Sequence, residues 1–392
     1  MGTFINLVKN NIRQYTMVIA LILAMVIFQI ATNGVLLLPM NVTTLILQNA
    51  YVFILAVGMM VLLINGGNID LSVGSIVAFV GAIMGVMMIT HKMPLWIAIV
   101  VALAIGFLIG AWQAYWVAYV RVPGFIVTLA GQLIFRGLTN NILSGQSLAP
   151  FSRDMVAISA GFIPDFIRGN NQGINITAMV LGMLVTIVYI ILQIRKRMYR
   201  RKYTEEMVPF QLFIVQIVII AALIMVCAYW LASYEGIPII FIIIAVLVAA
   251  YQYFTSKTVS GRYIYAMGGN EKAAQLSGIN TNKVLFWCYV NMGVLAAVAA
   301  IVTTSRLDVA SPLAGQNYEL DAISASFIGG ASMYGGAGTI VGAIIGALFM
   351  GVLNNGMSIL GAGTDIQMLI KGLVLLLAVA FDIFSKSRAK AS

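Results

Sequence analysis

The sequence predicts an all-α polytopic membrane protein of about ten to twelve transmembrane helices, with broken or re-entrant segments where glycine clusters. Of its 392 residues, 61% are apolar and only 9% are charged, whereas a soluble domain carries about 25% charged residues. The apolar residues form runs of about 20, the length of helix that crosses a bilayer core. The 22 Lys and Arg residues, which leave a net charge of +10, lie mostly between these runs. A soluble enzyme, a disordered chain and a nucleic-acid binder are therefore excluded.

Eleven apolar runs are long enough to be predicted as spans. They cover residues 15–38, 43–64, 72–90, 95–119, 124–143, 176–194, 209–232, 237–256, 284–303, 339–360 and 366–384. A twelfth segment, 321–335, is short and rich in Gly and Ser, which predicts a broken helix or a re-entrant loop. The polar stretch 65–72 is a second break, and irregular backbone at membrane depth requires protein or a water-filled cavity around it. The first run has no small-residue cleavage site after it, so we expect it to be retained.

The basic residues predict the orientation of the chain. With twelve spans, most Lys and Arg residues fall on one side, which places both termini in the cytoplasm. Residues 1–392 are expected to form a single transmembrane domain with three polar loops. These are an outer loop at 144–175, which is either a linker or a docking surface, a basic inner loop at 195–206, and a long inner loop at 257–283.

Two glycine-rich segments resemble each other. GSIVAFVGAIMG begins at Gly74 and GTIVGAIIGALF begins at Gly338, and each follows a polar break. Interrupted hydrophobic segments in corresponding halves indicate a substrate path in transporters, although small residues also recur by chance. Glycines spaced by four, as at Gly338, Gly342 and Gly346, lie on one helix face and predict close helix packing.

A set of polar residues within or beside the spans could line a passage. Asp70 could instead cap a helix beginning near Leu71, and the two roles are compatible. Arg136 shares a helix face with Gln132 but could also extend to the headgroups. Amides and hydroxyls suit a neutral polyhydroxylated solute. The candidates are Asn65, Asn68, Asp70, Ser72, Ser75, Gln132, Arg136, Asn354 and Asn355.

The chain lacks the motifs of catalysis and of ATP binding. It has one histidine, no pair of carboxylates within a predicted span, and no Gly-Lys dipeptide, so GxxxxGK[ST] is absent. Cys227 and Cys288 lie in apolar runs, where packing is expected. We therefore predict a transport subunit with no enzymatic site, metal or cofactor of its own. An ion-coupled carrier would place an acid at membrane depth, for which Asp70 is the candidate.

Four motifs resemble a known family of transport proteins. They are GGNIDLSVGS at 66–75, TLAGQLIFRGLTN at 128–140, GRYIYAMGGNEKAAQLSGIN at 261–280, and the run at 305–347. Together they resemble the permease subunits of ribose/xylose-type ABC importers, and the likeness covers most of the chain in the same order. Within this family the chain resembles the xylose and multiple-monosaccharide permeases, which carry an additional helix pair, here around residues 195–206.

The resemblance implies a division of labour. The permease would import a monosaccharide, xylose or a related sugar, across the bacterial cytoplasmic membrane. It would work with a second permease copy, an extracytoplasmic sugar-binding protein, and an ATPase subunit with two modules that binds the ATP. An ion-coupled secondary carrier of a small polar solute is the alternative.

The same resemblance implies that the inner loop 257–283 carries a coupling helix seated on the ATPase. Asn270 can cap this helix and Gly278 can end it. The residues assigned to coupling are Gly269, Asn270, Glu271, Ala273, Ala274, Leu276 and Gly278. A short surface helix without a partner is the alternative.

Overall fold

The computed structural model describes residues 12–167, 173–202 and 209–391, which fold into fifteen α-helices. Within these residues β-structure is limited to two isolated bridges. The helices are α1 Ile12–Ala31, α2 Pro39–Ile64, α3 Val73–Gly85, α4 Leu95–Ala118, α5 Gly124–Leu143, α6 Arg153–Ala160, α7 Ile176–Lys202, α8 Phe210–Ala232, α9 Ile239–Lys257, α10 Val259–Gly269, α11 Glu271–Leu276, α12 Thr281–Leu307, α13 Tyr318–Ile328, α14 Ile340–Ile359 and α15 Thr364–Ala391.

Each of the twelve predicted segments contains a helix, so the all-α polytopic class is confirmed. Among the described residues, seven helices are long and apolar enough to cross a membrane, or eight if α2, bent by 48°, is one span. This is fewer than the expected ten to twelve. Two helices are short: the apolar part of α1 covers only Thr16–Ala31, and α13 has 11 residues. Two longer helices, α5 and α15, are also not among the seven counted as long and apolar enough to cross a membrane.

The described chain divides into two compact units. The first comprises residues 12–36, 45–160 and 240–391. Its core contains α12, which is buried along most of its length and packs against α4. Glycines allow α12 and α4 to pack closely against each other. A Cβ on Gly106 would lie only 2.5 Å from the carbonyl oxygen of Gly293. The close contact leaves no room for a side chain between the two helices.

The second unit comprises residues 37–44 and the described part of 161–239. Its main feature is the antiparallel pair α7 and α8, in which Gly182 faces Ala228. Asp165 accepts hydrogen bonds from the backbone amide of Ile176 (2.8 Å) and the hydroxyl of Thr177 (2.7 Å), which fixes the start of α7. The predicted outer loop 144–175 is therefore divided between the two units. Residues 168–172 of that loop and 203–206 of the basic loop 195–206 lie outside the described residues.

Both predicted breaks are present in the first unit, and they contact each other. The first separates α2 from α3 and the second separates α13 from α14. The amide of Gly336 donates to the carbonyl of Ile64 (2.8 Å). A Cβ on Gly335, where φ is +80°, would lie 2.7 Å from the nitrogen of Gly66. Two irregular segments thus satisfy part of each other's backbone, as irregular structure at membrane depth requires.

The predicted glycine face of α14 packs closely, as expected. A Cβ on Gly346 would lie 2.8 Å from the carbonyl carbon of Ala325. One on Gly342 would lie 3.2 Å from the carbonyl carbon of Gly329. Because α13 and α14 touch through backbone atoms, the second break is held at a fixed place against α14.

Candidate functional site

A buried hydrogen-bonded chain follows the first break. The Oδ1 atom of Asp70 accepts from the backbone amide (2.8 Å) and the hydroxyl (2.6 Å) of Ser72. The amide of Gln113 in turn donates to the Ser72 hydroxyl (2.6 Å). The helix begins at Val73 with Ser72 at its N-cap, so the expected start near Leu71 with Asp70 as the cap is wrong. Asp70 instead closes a turn before the helix by bonding two residues ahead.

Several buried polar atoms around this chain have no hydrogen-bond partner among the described residues. A buried polar atom left unpaired costs about 1–3 kcal/mol, so a cluster of them indicates a place where water or a polar solute enters. The atoms are Asn65 Oδ1 and Nδ2, Asp70 Oδ2, Ser75 Oγ, Gln113 Oε1 and Tyr289 Oη. Of these, Gln113 and Tyr289 were not among the sequence candidates.

Gln132 and Arg136 form a second group, which meets residues 312–319. The Gln132 amide donates to Oε1 of Glu319 (3.1 Å). Arg136 donates to the carbonyls of Pro312 (2.8 Å) and Ala314 (2.7 Å). Both side chains therefore leave α5 on the same face, as their spacing predicts. The guanidinium binds two backbone carbonyls of the loop that precedes α13.

Asn354 and Asn355 lie elsewhere. The amide of Asn354 donates to Oδ1 of Asn49 at the bend of α2 (3.1 Å), and Asn355 is buried. Asn49 precedes Ile64, the last residue of α2, by 15 positions, which is about 23 Å of helix at 1.5 Å per residue. The two amides face protein, as expected, but the structure does not bring them to the group around Asp70.

The loop 257–283 contains two helices, α10 and the short helix α11. Asn270 caps α11 by accepting from the amide of Ala273 (3.0 Å), and Gly278 follows it with φ +84°. Both features agree with the local prediction. Ala274 is buried, whereas the side chain of Leu276 is 90% exposed and presents an apolar surface on α11.

The loop 257–283 is joined to the rest of the first unit by an ion pair and by glycine contacts. Arg121 lies 3.1 Å from Glu271 and also donates to Asn282 at the start of α12. At the end of α10, a Cβ on Gly268 would lie 2.6 Å from the nitrogen of Gly336 and collide with the carbonyl of Ile64. This loop therefore touches both breaks at once.

A cavity of about 440 Å³ lies at this junction. Its walls come from the first break, from the turn between α4 and α5, and from the loop 257–283. Polar side chains lining it include Asn65, Asn68, Arg121, Asn270, Glu271 and Tyr334.

Comparison with known proteins places this architecture in a family. Residues 41–379 match the family described as "Branched-chain amino acid transport system / permease component". The chain belongs to this permease family. The match covers both breaks, the cavity and the loop 257–283, so every feature of the candidate site lies inside the family region.

Sugar permeases are among the relatives of this permease. It is 37% identical to the xylose transport system permease protein XylH of Haemophilus influenzae over 378 residues, covering 96% of this chain and 98% of the relative. It is 38% identical to XylH of Escherichia coli K12 over 389 residues, covering 99% and 96%. The ribose import permease protein RbsC of Escherichia coli K12 is 34% identical over 342 residues, covering 87% and 85%. No solved structure matches the chain. The resemblance to ribose/xylose-type permeases is confirmed.

The permease also contains a buried ion pair that sequence reasoning missed. Lys371 of α15 lies 2.9 Å from Asp321 of α13, with their side chains 12% and 1% exposed. The hydroxyl of Tyr51 donates to the same carboxylate (2.6 Å). Asp70 is therefore not the one acid at membrane depth. Lys371 is a charged residue within the predicted apolar run 366–384. A charge in such a run is expected to have a buried partner of opposite charge, so Lys371 was the sequence signal that could have revealed this ion pair.

Proposed function

We propose that this permease imports xylose, with a separate ATPase supplying the energy. The chain is the membrane-spanning permease subunit of an ABC importer for a monosaccharide. The observation that favours xylose is the extent of similarity, which reaches 389 residues for a xylose permease and 342 for a ribose permease. The protein is a multi-pass membrane protein, and the bacterial inner membrane is its proposed location, with both termini in the cytoplasm.

The proposed partners follow from what the chain lacks and from what it exposes. Its sequence has no phosphate-binding loop for ATP, so transport driven by ATP would depend on an ATPase in another polypeptide. Leu276 presents an apolar side chain, 90% exposed, on α11. We assign α11 and its flanks as the coupling helix, seated on an ATPase with two modules. An extracytoplasmic sugar-binding protein and a second permease copy complete the proposed assembly.

Motion of α11 has two direct routes into the membrane region. The ion pair between Glu271 and Arg121 connects it to the turn before α5, and Asn282 connects the same arginine to α12. Gly268 connects the loop to Ile64 and to the second break. Because the Gly268 contact is close-packed against backbone atoms, a displacement of the loop is transmitted through it and not absorbed locally. ATP-driven closure of the ATPase would thereby move both breaks.

The first break and the start of α3 together carry five of the nine proposed pathway residues. Asn65, Asn68, Asp70 and Ser72 lie in the first break, and Ser75 follows it on α3. Their unpaired amide, hydroxyl and carboxylate atoms are suited to the hydroxyl groups of a sugar. Gln132 and Arg136 continue the polar surface toward Glu319. Asn354 and Asn355 are proposed to support helix packing, because Asn354 pairs with Asn49.

Ion-coupled transport is the alternative, and buried carboxylates are the observation in its favour. Asp70, Asp321 and Glu319 are all buried. However, Asp321 is paired with Lys371, and Asp70 already accepts two hydrogen bonds from Ser72. A proton-carrying role for Asp321 would require its ion pair to break in each cycle, whereas Asp70 could take a proton on Oδ2 with both bonds from Ser72 intact.

Reconstitution tests the proposed function. The permease, its cognate ATPase and its sugar-binding protein are placed in proteoliposomes, and ATP hydrolysis is measured against a panel of pentoses and hexoses. Xylose is expected to stimulate hydrolysis most, and vanadate is expected to abolish uptake. Stimulation by a different monosaccharide would overturn the xylose assignment alone. No stimulation by any monosaccharide would overturn the substrate class.

A further inference from the structure

The cavity at the coupling loop has the size of a small-molecule site and a mainly polar lining. Its volume of about 440 Å³ falls within the range of about 300–1,000 Å³ typical of ligand pockets. The mouth is exposed, since the side chains of Arg121 and Glu271 are 51% and 47% exposed and Tyr334 is 68% exposed. The opposite end lies at the buried side chain of Asn65.

The polar groups in the cavity suit a neutral ligand with many hydroxyl groups. Asn65 is buried, yet neither its amide nitrogen nor its oxygen has a hydrogen-bond partner among the described residues. Asn68 adds a second amide. The charge of Arg121 is balanced by Glu271, so neither an anion nor a cation finds an unpaired opposite charge there. Tyr334 supplies an aromatic ring on which the C–H face of a sugar can lie.

Gly124, Asn68 and Tyr289 approach one another closely on the side of the cavity toward the Asp70 group. At Gly124, which lines the cavity, a Cβ would lie 3.4 Å from Asn68 Oδ1 and would collide with the hydroxyl of Tyr289. Beyond this contact lie the buried polar chain of Asp70 and Ser72 and its partner Gln113. A ligand in the cavity is therefore separated from that chain by the close approach of Gly124, Asn68 and Tyr289.

We infer that this cavity is the site where an imported monosaccharide is held before its release to the cytoplasm, with the coupling helix as one wall. This inference rests on the proposed function. Asn270 and Glu271 belong to α11 or its cap and line the cavity directly. A movement of α11 consequently changes the shape of the site itself. ATP-driven motion then controls release by altering a sugar-binding wall as well as by tilting distant helices.

Protection of an introduced cysteine tests this inference. Asn68→Cys is made in the full-length permease with Cys227→Ser and Cys288→Ala, and a membrane-impermeant maleimide is added to inside-out vesicles. Labelling is expected, and xylose is expected to suppress it in a concentration-dependent manner. Ser277→Cys, exposed on the same loop and outside the cavity lining, is the matched control, whose labelling xylose should not change.

The outcomes separate the two proposals. If Ser277→Cys reacts but Asn68→Cys does not, or if xylose gives no protection, the cavity is not a cytoplasmic sugar site. Protection by inorganic phosphate and not by xylose would also overturn it. Failure of wild-type xylose-stimulated ATP hydrolysis would instead overturn the proposed function. Equilibrium binding of radiolabelled xylose is a second measurement. Tyr334→Ala, a substitution at an exposed position, should weaken this binding about fivefold because the aromatic ring is lost. Unchanged binding would count against the site.

Discussion

Substitution of Gly268 by alanine is the most informative perturbation of the coupling loop. The added methyl group would lie 2.6 Å from the nitrogen of Gly336 and 2.9 Å from the carbonyl carbon of Ile64. Both neighbours are backbone atoms, so they cannot move aside as a flexible side chain can. The end of α10 must therefore withdraw from both breaks.

The size of the effect follows from two opposing contributions. Overpacking of this kind costs about 1–3 kcal/mol, while replacing a helical glycine by alanine stabilises the helix by roughly 0.5–1 kcal/mol. We expect a net destabilisation of the junction by about 1–2 kcal/mol, which corresponds to about a five- to thirtyfold change in its equilibrium. Sugar transported per ATP hydrolysed should fall by a similar factor.

The assay measures sugar uptake and ATP hydrolysis in the same proteoliposomes, together with the thermal unfolding midpoint of the purified permease. Gly269→Ala is the matched control for packing, because a Cβ at that adjacent position meets no atom within 4 Å. It should leave the unfolding midpoint unchanged or raise it slightly, whereas Gly268→Ala should lower it. Wild-type coupling and stability in Gly268→Ala, or an equal fall in the midpoint for both variants, would refute the reasoning.

Four further substitutions test other contacts. Asp321→Asn leaves Lys371 buried without its ion-pair partner and should cost about 3–5 kcal/mol; thermal unfolding measures this, and a smaller loss is expected when Lys371→Met is added. Asp70→Ala should lower uptake while size-exclusion chromatography shows intact protein, and loss of folded protein would indicate a purely structural role. Glu271→Lys should reduce sugar transported per ATP, since it reverses the charge of an ion pair; an unchanged ratio argues against coupling through this residue. Leu276→Asp should abolish co-purification of the ATPase without changing the unfolding midpoint, and retained binding would count against the docking assignment.

Local features were predictable from the sequence because local physics determines them. The predicted run 95–119 nearly coincides with α4, since a long apolar run favours a membrane-spanning helix. The cap at Asn270 and the glycine at 278 were also predicted, because capping depends on residues within one turn. Family membership was also predictable, because the motifs that identify the family and their order can be read directly from the sequence.

Contacts between distant segments were not predictable in this way. Asp321 and Lys371 are separated by 50 positions, and only tertiary packing brings them together. The contact of Gly268 with Ile64 joins residues that share no local pattern. At Asp70 the expected cap was wrong because the side chain bonds to Ser72, two residues ahead, and the helix starts after that turn.

The source of energy for transport tests the central claim most directly. Xylose accumulation is measured in proteoliposomes that contain the permease, its ATPase and its sugar-binding protein, with ATP alone or with an imposed proton gradient alone. The account predicts accumulation against a gradient only with ATP, and its loss when the ATPase is omitted. Accumulation driven by the proton gradient without ATP would contradict it and identify an ion-coupled carrier.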